Sequence, residues 1–471
     1  SQIMKAPLLC LPFILLLFGV PTSHAEERPN VILIMADDMG YEALSSNGSE
    51  SCKSPNLDKL AKRGVFFSRA YCSSPACNPS RASVLTGKRP HLSGVYGNKT
   101  NWRKACREIA TLPEYFRKHG YHAEGYGKVY HHHGNGAFND PKAWDKFRKM
   151  DSQFMPASKL NGAKRYGSRN TDWGPWPKDE QETETIDFKS VSYAEEALAR
   201  NQDKPFFLAC GIFKPHSPFF APPKYHALYN GGVDMPVLKK DDWEDLPAGA
   251  GKLMNAKKWF WRGMESLESK QPGSYRKFVQ SYAACCTFGD ASVGRLIQAL
   301  DHSGQAGNTI IVVWSDHGFH LGEKEHIEKF ALWEKANHVP LIIVDPRKPK
   351  SAGKVCSSPV DLTTLFPTLL ELCGLPVNPM NDGLSVAGQV SDPARPIARP
   401  ALMTYGFGNH AVRTDRWRYI RYADGTEELY DHENDPNEWN NLAGEPQYRK
   451  VIEEHAEWMP KTNAKPFENL R

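Results

Sequence analysis

An α/β fold, with a large mostly parallel mixed sheet sandwiched by helices and a small C-terminal unit of antiparallel sheet plus helix, is what the 471-residue sequence predicts. Three observations carry it. Several apolar runs lack the period-2 alternation of half-buried strands, as expected where both faces of a parallel sheet are covered. Amphipathic stretches with helix start and stop signals alternate with those runs. After about Pro379 the texture changes to short alternating segments rich in turn residues.

The elements follow in chain order. Met4-Lys5, the apolar run Ala6–Val20 and the small-residue ending Ser23-His24-Ala25 have the layout of a secretory signal peptide, too short and wrongly flanked for a spanning helix. Residues 1–25 are therefore expected to be removed, leaving an exported protein, periplasmic or secreted, with no membrane segment in its mature form. Asn30–Ala36 is the first buried strand and ends in Asp37-Asp38. Ser54–Gly64 reads as a helix from a Ser-Pro start to a Gly stop, and Leu112–His119 as another, closed by Gly120. The stretch from Gly134 to Glu184 is aromatic and irregular, either a pocket-shaping insertion or a surface excursion. Pro205–Cys210 is a strand, Tyr275–Leu300 a long amphipathic helix, and Thr309–Ser315 a strand ending in Asp316-His317-Gly318. Val339–Val344 is a further strand and Val360–Leu372 a helix before Gly374. Short strands at Ala401–Tyr405, Ala411–Thr414, Arg416–Tyr422 and Glu428–Tyr430, then a helix over Glu445–Trp458, build the closing unit. The division expected is a catalytic domain over 26–385 and a C-terminal α+β subdomain over 386–471.

With 40% hydrophobic and 24% charged residues the chain can bury a large core and is neither fibrous nor disordered. A formal charge of +5 over this length is too dilute to indicate a nucleic-acid partner, and it tolerates an anionic substrate. The cysteine count is more telling. Of ten cysteines, Cys10 leaves with the signal peptide, and an odd number in an oxidising compartment implies one that is unpaired or chemically special.

The run Cys77-Asn78-Pro79-Ser80-Arg81-Ala82-Ser83-Val84-Leu85-Thr86-Gly87 points to that one. C-x-P alone reads more readily as a loop cysteine before a helix, whose start favours an anion. The whole pattern C-x-P-S-R-x-x-x-L-T-G resembles the type I sulfatases of the alkaline phosphatase superfamily, in an iduronate 2-sulfatase-like flavour. The resemblance implies an alkaline phosphatase-like fold and implies that Cys77 is the modified residue, oxidised to formylglycine. In that family one hydroxyl of the hydrated aldehyde attacks sulfur and the other drives its release, with Arg81 holding the group. It further implies a Ca²⁺ site, with Mg²⁺ as second choice, from Asp37, Asp38, Asp316 and His317, where many members carry Asn in place of the histidine. Each acidic pair taken alone is equally an ordinary strand-end loop.

Three further segments match. Gly127-Lys128-Val129-Tyr130-His131 resembles the Gly-Lys-x-x-His segment, so Lys128 is expected on formylglycine and sulfate and His131 as the proton acceptor; adjacent His132 and His133 leave the register open, with a metal-binding histidine cluster as rival. His216 in Lys214-Pro215-His216-Ser217-Pro218-Phe219 matches the histidine that protonates the leaving alcohol, and Lys329 the lysine that steadies the bridging oxygen. Lys324 and Lys335 are nearby alternatives read as solvated surface lysines. Trp102 and Arg103, in Asn98-Lys99-Thr100-Asn101-Trp102-Arg103, and His320, with Glu323 and His326, are candidates for the substrate pocket, Trp102 against a structural role.

The function implied is removal of sulfate from a sulfated carbohydrate, with exo action expected of a pocket at strand ends, after maturation by a formylglycine-generating or anaerobic sulfatase-maturating enzyme. A phosphonate or phosphodiester hydrolase of the same superfamily is the rival enzyme. A non-catalytic secreted carbohydrate-binding protein on a decayed scaffold is the rival of another class, and it predicts loss of at least one key residue.

Overall fold

The computed structural model describes residues 28–45, 51–131, 138–152, 156, 160–161, 171–177, 179–200 and 203–468. The expected signal peptide, His132, His133 and parts of the 134–184 segment lie outside them. A central eight-stranded sheet is built from β1 (Asn30–Asp37), β2 (Val65–Phe67), β3 (His122–Gly127), β4 (Lys146–Lys149), β5 (Phe206–Pro215), β6 (Thr309–Ser315), β7 (Leu341–Val344) and β8 (Lys354–Cys356), in the order β8-β2-β7-β6-β1-β5-β3-β4. The pairs β6-β1, β1-β5, β5-β3 and β3-β4 are parallel, and β7 runs antiparallel to both its neighbours.

The absence of alternation in β1 has its cause here. Ile32, Ile34 and Ala36 face one apolar layer and Val31, Leu33 and Met35 the other, all essentially unexposed. The first layer is closed by α1 (Pro55–Ala61), α4 (Ile186–Leu198) and α5 (Ser274–His302). The second is closed by α2 (Cys77–Thr86), α3 (Leu112–Lys118) and α6 (Leu365–Leu372). Helix α3 starts at a capping box in which Thr111 and Glu114 satisfy each other's backbone N–H groups.

Three expectations change in detail. The strand read over Val339–Val344 breaks at Pro340, which has no N–H for the ladder: His338–Val339 pairs with Ala70–Tyr71 in a separate small sheet and only Leu341–Val344 enters the main one. The helix read from Val360 begins only at Leu365, because Val360–Asp361 is a short strand whose Asp361 carboxylate caps the Thr363 N–H at 3.2 Å and pairs with Arg89 at 2.9 Å. From the irregular segment, Lys146–Lys149 joins the sheet edge beside β3.

The closing unit is a four-stranded antiparallel sheet, β9 (Ala401–Thr404), β10 (His410–Arg413), β11 (Trp417–Arg421) and β12 (Glu427–Asp431), covered by α7 (Arg449–Ala456). It is bolted to the main body by Arg418, which is fully buried, donates to the Leu332 carbonyl at 2.9 Å and contacts Glu334 and, at 2.6 Å, Glu438. Among the described residues no helix is long and apolar enough to cross a membrane, and the nine cysteines are buried thiols.

Candidate active site

The four adjacent parallel strands β6, β1, β5 and β3 end on one edge of the sheet, where α/β folds place their ligands. Register sets the convergence: Ala36 lies beside Ser315, Asp37 beside Pro215 and Gly127 beside Gly211. The residues that follow, Asp38, Asp316-His317, His216 and Lys128, therefore emerge side by side. Gly127 and Gly211 make room for this; a Cβ on Gly211 would lie 2.0 Å from the Lys128 carbonyl carbon, and Gly127 has φ 72°.

Cys77 comes from the other direction, at the first position of α2, whose start points into the strand ends. Its loop is held by Asn78, whose N–H donates to Asn98 Oδ1 at 3.0 Å and whose Nδ2 donates to the Gly97 and Thr100 carbonyls at 2.9 and 2.8 Å. The Cys77 Sγ lies 3.2 Å from His317 Nε2 and 3.6 Å from Asp37 Oδ1. One turn along α2, the buried Arg81 guanidinium donates from Nε to Asp316 Oδ2 at 2.8 Å, from Nη2 to the Ala36 carbonyl at 3.2 Å and from Nη1 to the Lys128 carbonyl. Its Nη2 is also 3.7 Å from Asp37.

Around this pair the charges interleave. The Lys128 ammonium contacts Asp37, the Lys329 ammonium donates to both Asp38 oxygens at 2.8 and 3.1 Å, and His216 Nε2 sits 3.9 Å from Asp38. His317 Nε2 lies 3.4 Å from Asp38 and 3.5 Å from Asp316, with Nδ1 3.0 Å from the Gly318 carbonyl. Burial raises the Asp316 pKa, but His317 and Arg81 outweigh it and hold the carboxyl below its usual range. Burial also works against the Lys329 charge, and Asp38 reverses it. Lys128 goes the other way: burial, then the Lys329 charge, bring it down to about 7. The Cys77 thiol is pushed up to about 12 by burial first, so it stays protonated at neutral pH and is inert as a thiolate.

Asp37, Asp38, Cys77 and His317 offer ligand atoms that all lie within 4.8 Å of one another. Hard carboxylate oxygens with one imidazole suit a cation such as Ca²⁺, and a buried cysteine among them suits the oxidised, hard oxygen form of that side chain better than the thiol. Asp316 stands directly behind, accepting the Asp38 N–H at 3.3 Å.

The other sequence candidates are placed as follows. His131 is half-buried four residues after Gly127, with burial and then the Lys128 charge driving its pKa far down. Trp102 is 1% exposed, stacks on Tyr130 and donates from Nε1 to the Phe138 carbonyl at 2.7 Å, so the ring is part of the core. Arg103 pairs with Glu114 at 3.1 Å and Asp140 at 3.0 Å. His320 is buried against His326 and Trp333, with Nδ1 3.1 Å from the Glu323 carbonyl. Lys324, read as solvated, is 2% exposed and paired with buried Asp242 at 3.1 Å; Lys335 is partly exposed and paired with Glu42. Substituting Trp102 by Phe should keep the stack but lose the hydrogen bond, at about 1–2 kcal/mol of stability with KM unchanged. A raised KM at unchanged stability, seen by combining a denaturation curve with steady-state kinetics, would return Trp102 to the substrate.

Sequence reasoning missed the groups that hold the ligands. The Tyr282 hydroxyl donates to the Asp38 carbonyl at 2.8 Å and accepts the Gly40 N–H at 3.1 Å, clamping Asp38 at φ 65° in the left-handed region. Ser80, present in the cysteine motif, donates from Oγ to the Asp316 carbonyl at 2.5 Å, and His326, read as a pocket candidate, instead sets its ring 2.6 Å from the Lys329 carbonyl. No local pattern marks Tyr282, which is one aromatic residue within an amphipathic helix.

Comparison with known proteins fits this geometry. A family model described as sulfatase matches residues 29–375, and one described as N-sulphoglucosamine sulphohydrolase, C-terminal, matches residues 322–465. A sulfatase of Formosa agariphila is 38% identical over 461 residues, covering 93% of this chain and 87% of the relative. Two solved structures share the fold. One, a protein in complex with its substrate D-glucosamine-2-N,6-O-disulfate, has a TM-score of 0.71 at 22% identity, covering 92% of this chain and 96% of the other. The second, the phosphonate monoester hydrolase of Agrobacterium radiobacter, has a TM-score of 0.74 at 23% identity, covering 91% and 94%.

Proposed function

This chain belongs to the sulfatase family, and from that premise we propose that it removes sulfate from a sulfated carbohydrate, acting at chain ends. The observation that carries the reading is the convergence of Lys128, Lys329, His216 and Arg81 with the Asp37-Asp38-His317 donors on the single buried side chain Cys77. A sulfated sugar as substrate of a protein with the same fold supports the carbohydrate class.

Formylglycine at position 77 would supply the attacking hydroxyl, and a Ca²⁺ held by Asp37, Asp38 and His317, with Asp316 behind them as the further expected ligand, would supply Lewis acidity. The rest is the work of this chain's side chains. Arg81 fixes Asp316 and Asp37 and, with the start of α2, sets residue 77 facing the donors. Lys128 and Lys329 neutralise the sulfate, Lys329 where charge builds on the bridging oxygen. His131 is the proton acceptor in this proposal. His216 gives a proton to the leaving alcohol.

The state of His216 bears on that last step. Burial, then the Lys128 and Lys329 charges, hold its pKa well below the usual range, and its Nδ1 lies 2.6 Å from the Ser217 carbonyl, leaving Nε2 on the Asp38 side. A sulfate seated on the two lysines offsets the part of this depression that their charges cause, which favours the protonated imidazole in the complex. Replacing His216 by Ala should then lower kcat by about 10²–10⁴-fold for sugar sulfates, whose alcohols leave poorly, and by less than about tenfold for aryl sulfates. Equal losses on both, in steady-state assays, would remove His216 from the acid role.

Export of the protein and its maturation by a formylglycine-generating or anaerobic sulfatase-maturating enzyme belong to the same proposal, supported by the leader-like residues 1–25 and by the C-x-P-S-R run. The test of the reaction is competitive: hydrolysis of an aryl sulfate and an aryl phosphonate, each with Ca²⁺ and with Mn²⁺. Preference for the sulfate with Ca²⁺ is expected. Preference for the phosphonate would make the chain a phosphonate hydrolase on the same fold.

A further inference from the structure

Apart from Cys77, the buried cysteines take no part in the site. Two of them meet across the fold. The segment 52–57 lies along α5 in a register fixed at two points. At the first, the Lys53 N–H donates to the Tyr229 hydroxyl at 2.8 Å, and that hydroxyl is 2.6 Å from Thr287 Oγ1. At the second, the Asn56 and Leu57 N–H groups donate to Asp290 at 3.1 and 2.7 Å, and Asn56 Nδ2 donates to the same carboxylate at 2.7 Å. Lys53 thus stands by Thr287, and the residue before each is a cysteine. That register sets Cys52 against Cys286, the two 3% and 2% exposed in one apolar layer. Neighbouring Cys285 is also fully buried in this layer.

We propose that Cys52 and Cys286 are a disulfide site, joining the segment before α1 to the middle of α5. The bond forms by exchange with a disulfide donor: the Cys52 thiolate attacks a donor sulfur, the Cys286 thiolate displaces the donor thiol, and two cysteine thiols become one S–S bond while the donor disulfide is reduced to two thiols. Burial places this exchange during folding, before the segment closes on the helix. The bond serves the site through α5, since Tyr282, one turn before Cys286, holds Asp38.

The test is refolding of the full chain in mixed oxidised and reduced glutathione, alkylation in denaturant, and digestion without reductant. The expected product is a linked Cys52–Cys286 peptide, two hydrogen masses below the sum of its parts, with Cys77 alkylated or converted. Reduction should lower Tm by roughly 5–10 °C. Cys52→Ser, Cys286→Ser and the double variant should share that loss, and Cys285→Ser should keep the link. Natively folded protein in which both thiols are alkylated, or a link that depends on Cys285, would overturn the proposal; the peptide map of the unmutated chain decides even if a variant fails to fold.

Discussion

Replacing Cys77 by serine is expected to abolish turnover, by about 10⁴-fold or more in kcat, while leaving Tm and the binding of a sulfated ligand close to those of the parent protein. The size of the effect follows from what each side chain can supply. A serine hydroxyl at the start of α2 occupies nearly the volume of the thiol and meets the same neighbours, His317 and Asp37. As an unoxidised side chain it has no second hydroxyl with which to release sulfate. Binding depends on Lys128 and Lys329, neither of which is changed. Titration calorimetry with a sulfated oligosaccharide, run beside a turnover assay, separates the two properties. Steady turnover by the serine variant within tenfold of the parent would contradict the chemistry assigned to position 77.

Loss of Arg81 should be the most damaging single change to folding and activity together. The guanidinium is 1% exposed and compensates Asp316 and Asp37, both fully buried, while tying α2 to the ends of β1 and β3 through the Ala36 and Lys128 carbonyls. Arg81→Ala leaves two buried carboxylates short of a cation and the Ala36 and Lys128 carbonyls without their donor. The expected cost is about 3–5 kcal/mol, a large part of the roughly 5–15 kcal/mol that holds a domain together. Arg81→Lys keeps the charge but not the planar fork, and should lie between parent and Ala in denaturant midpoint while remaining at least 10²-fold down in kcat. A cost below about 1 kcal/mol for the Ala variant would show that the acidic cluster has another source of compensation.

Much of this site was legible in the sequence, for a physical reason. Strands buried on both faces advertise themselves as unbroken apolar runs, so Asn30–Asp37 and Thr309–Ser315 could be placed and their acidic ends recognised as strand ends. That the two strands are direct neighbours is a matter of pairing, which periodicity does not encode, and only the resemblance brought Asp37-Asp38 and Asp316-His317 to one metal. Strand direction was equally hidden: Leu341–Val344 reads like its parallel neighbours but runs against them.

Lysines were the hardest to assign. Lys324 and Lys329 lie in one polar-looking loop, and both are buried by tertiary contacts, one on Asp242 and one on Asp38. Composition gives no clue to which is which, because the loop's path, through left-handed residues at Lys324, Glu325, Glu328 and Phe330, is set by what packs on it. For Trp102 it is the structural alternative that fits the fold. A Trp-Arg pair suggests sugar stacking, yet its indole N–H has a backbone partner that lies 36 residues away at Phe138.

The measurement closest to the central claim is the mass of the tryptic peptide containing residue 77, taken from protein that has been shown to hydrolyse a sulfate ester. The account predicts a population carrying the loss expected for conversion of the cysteine thiol to an aldehyde, rising in proportion to specific activity across preparations made with and without a maturation enzyme. Fully active protein whose peptide carries only the unmodified thiol would contradict it.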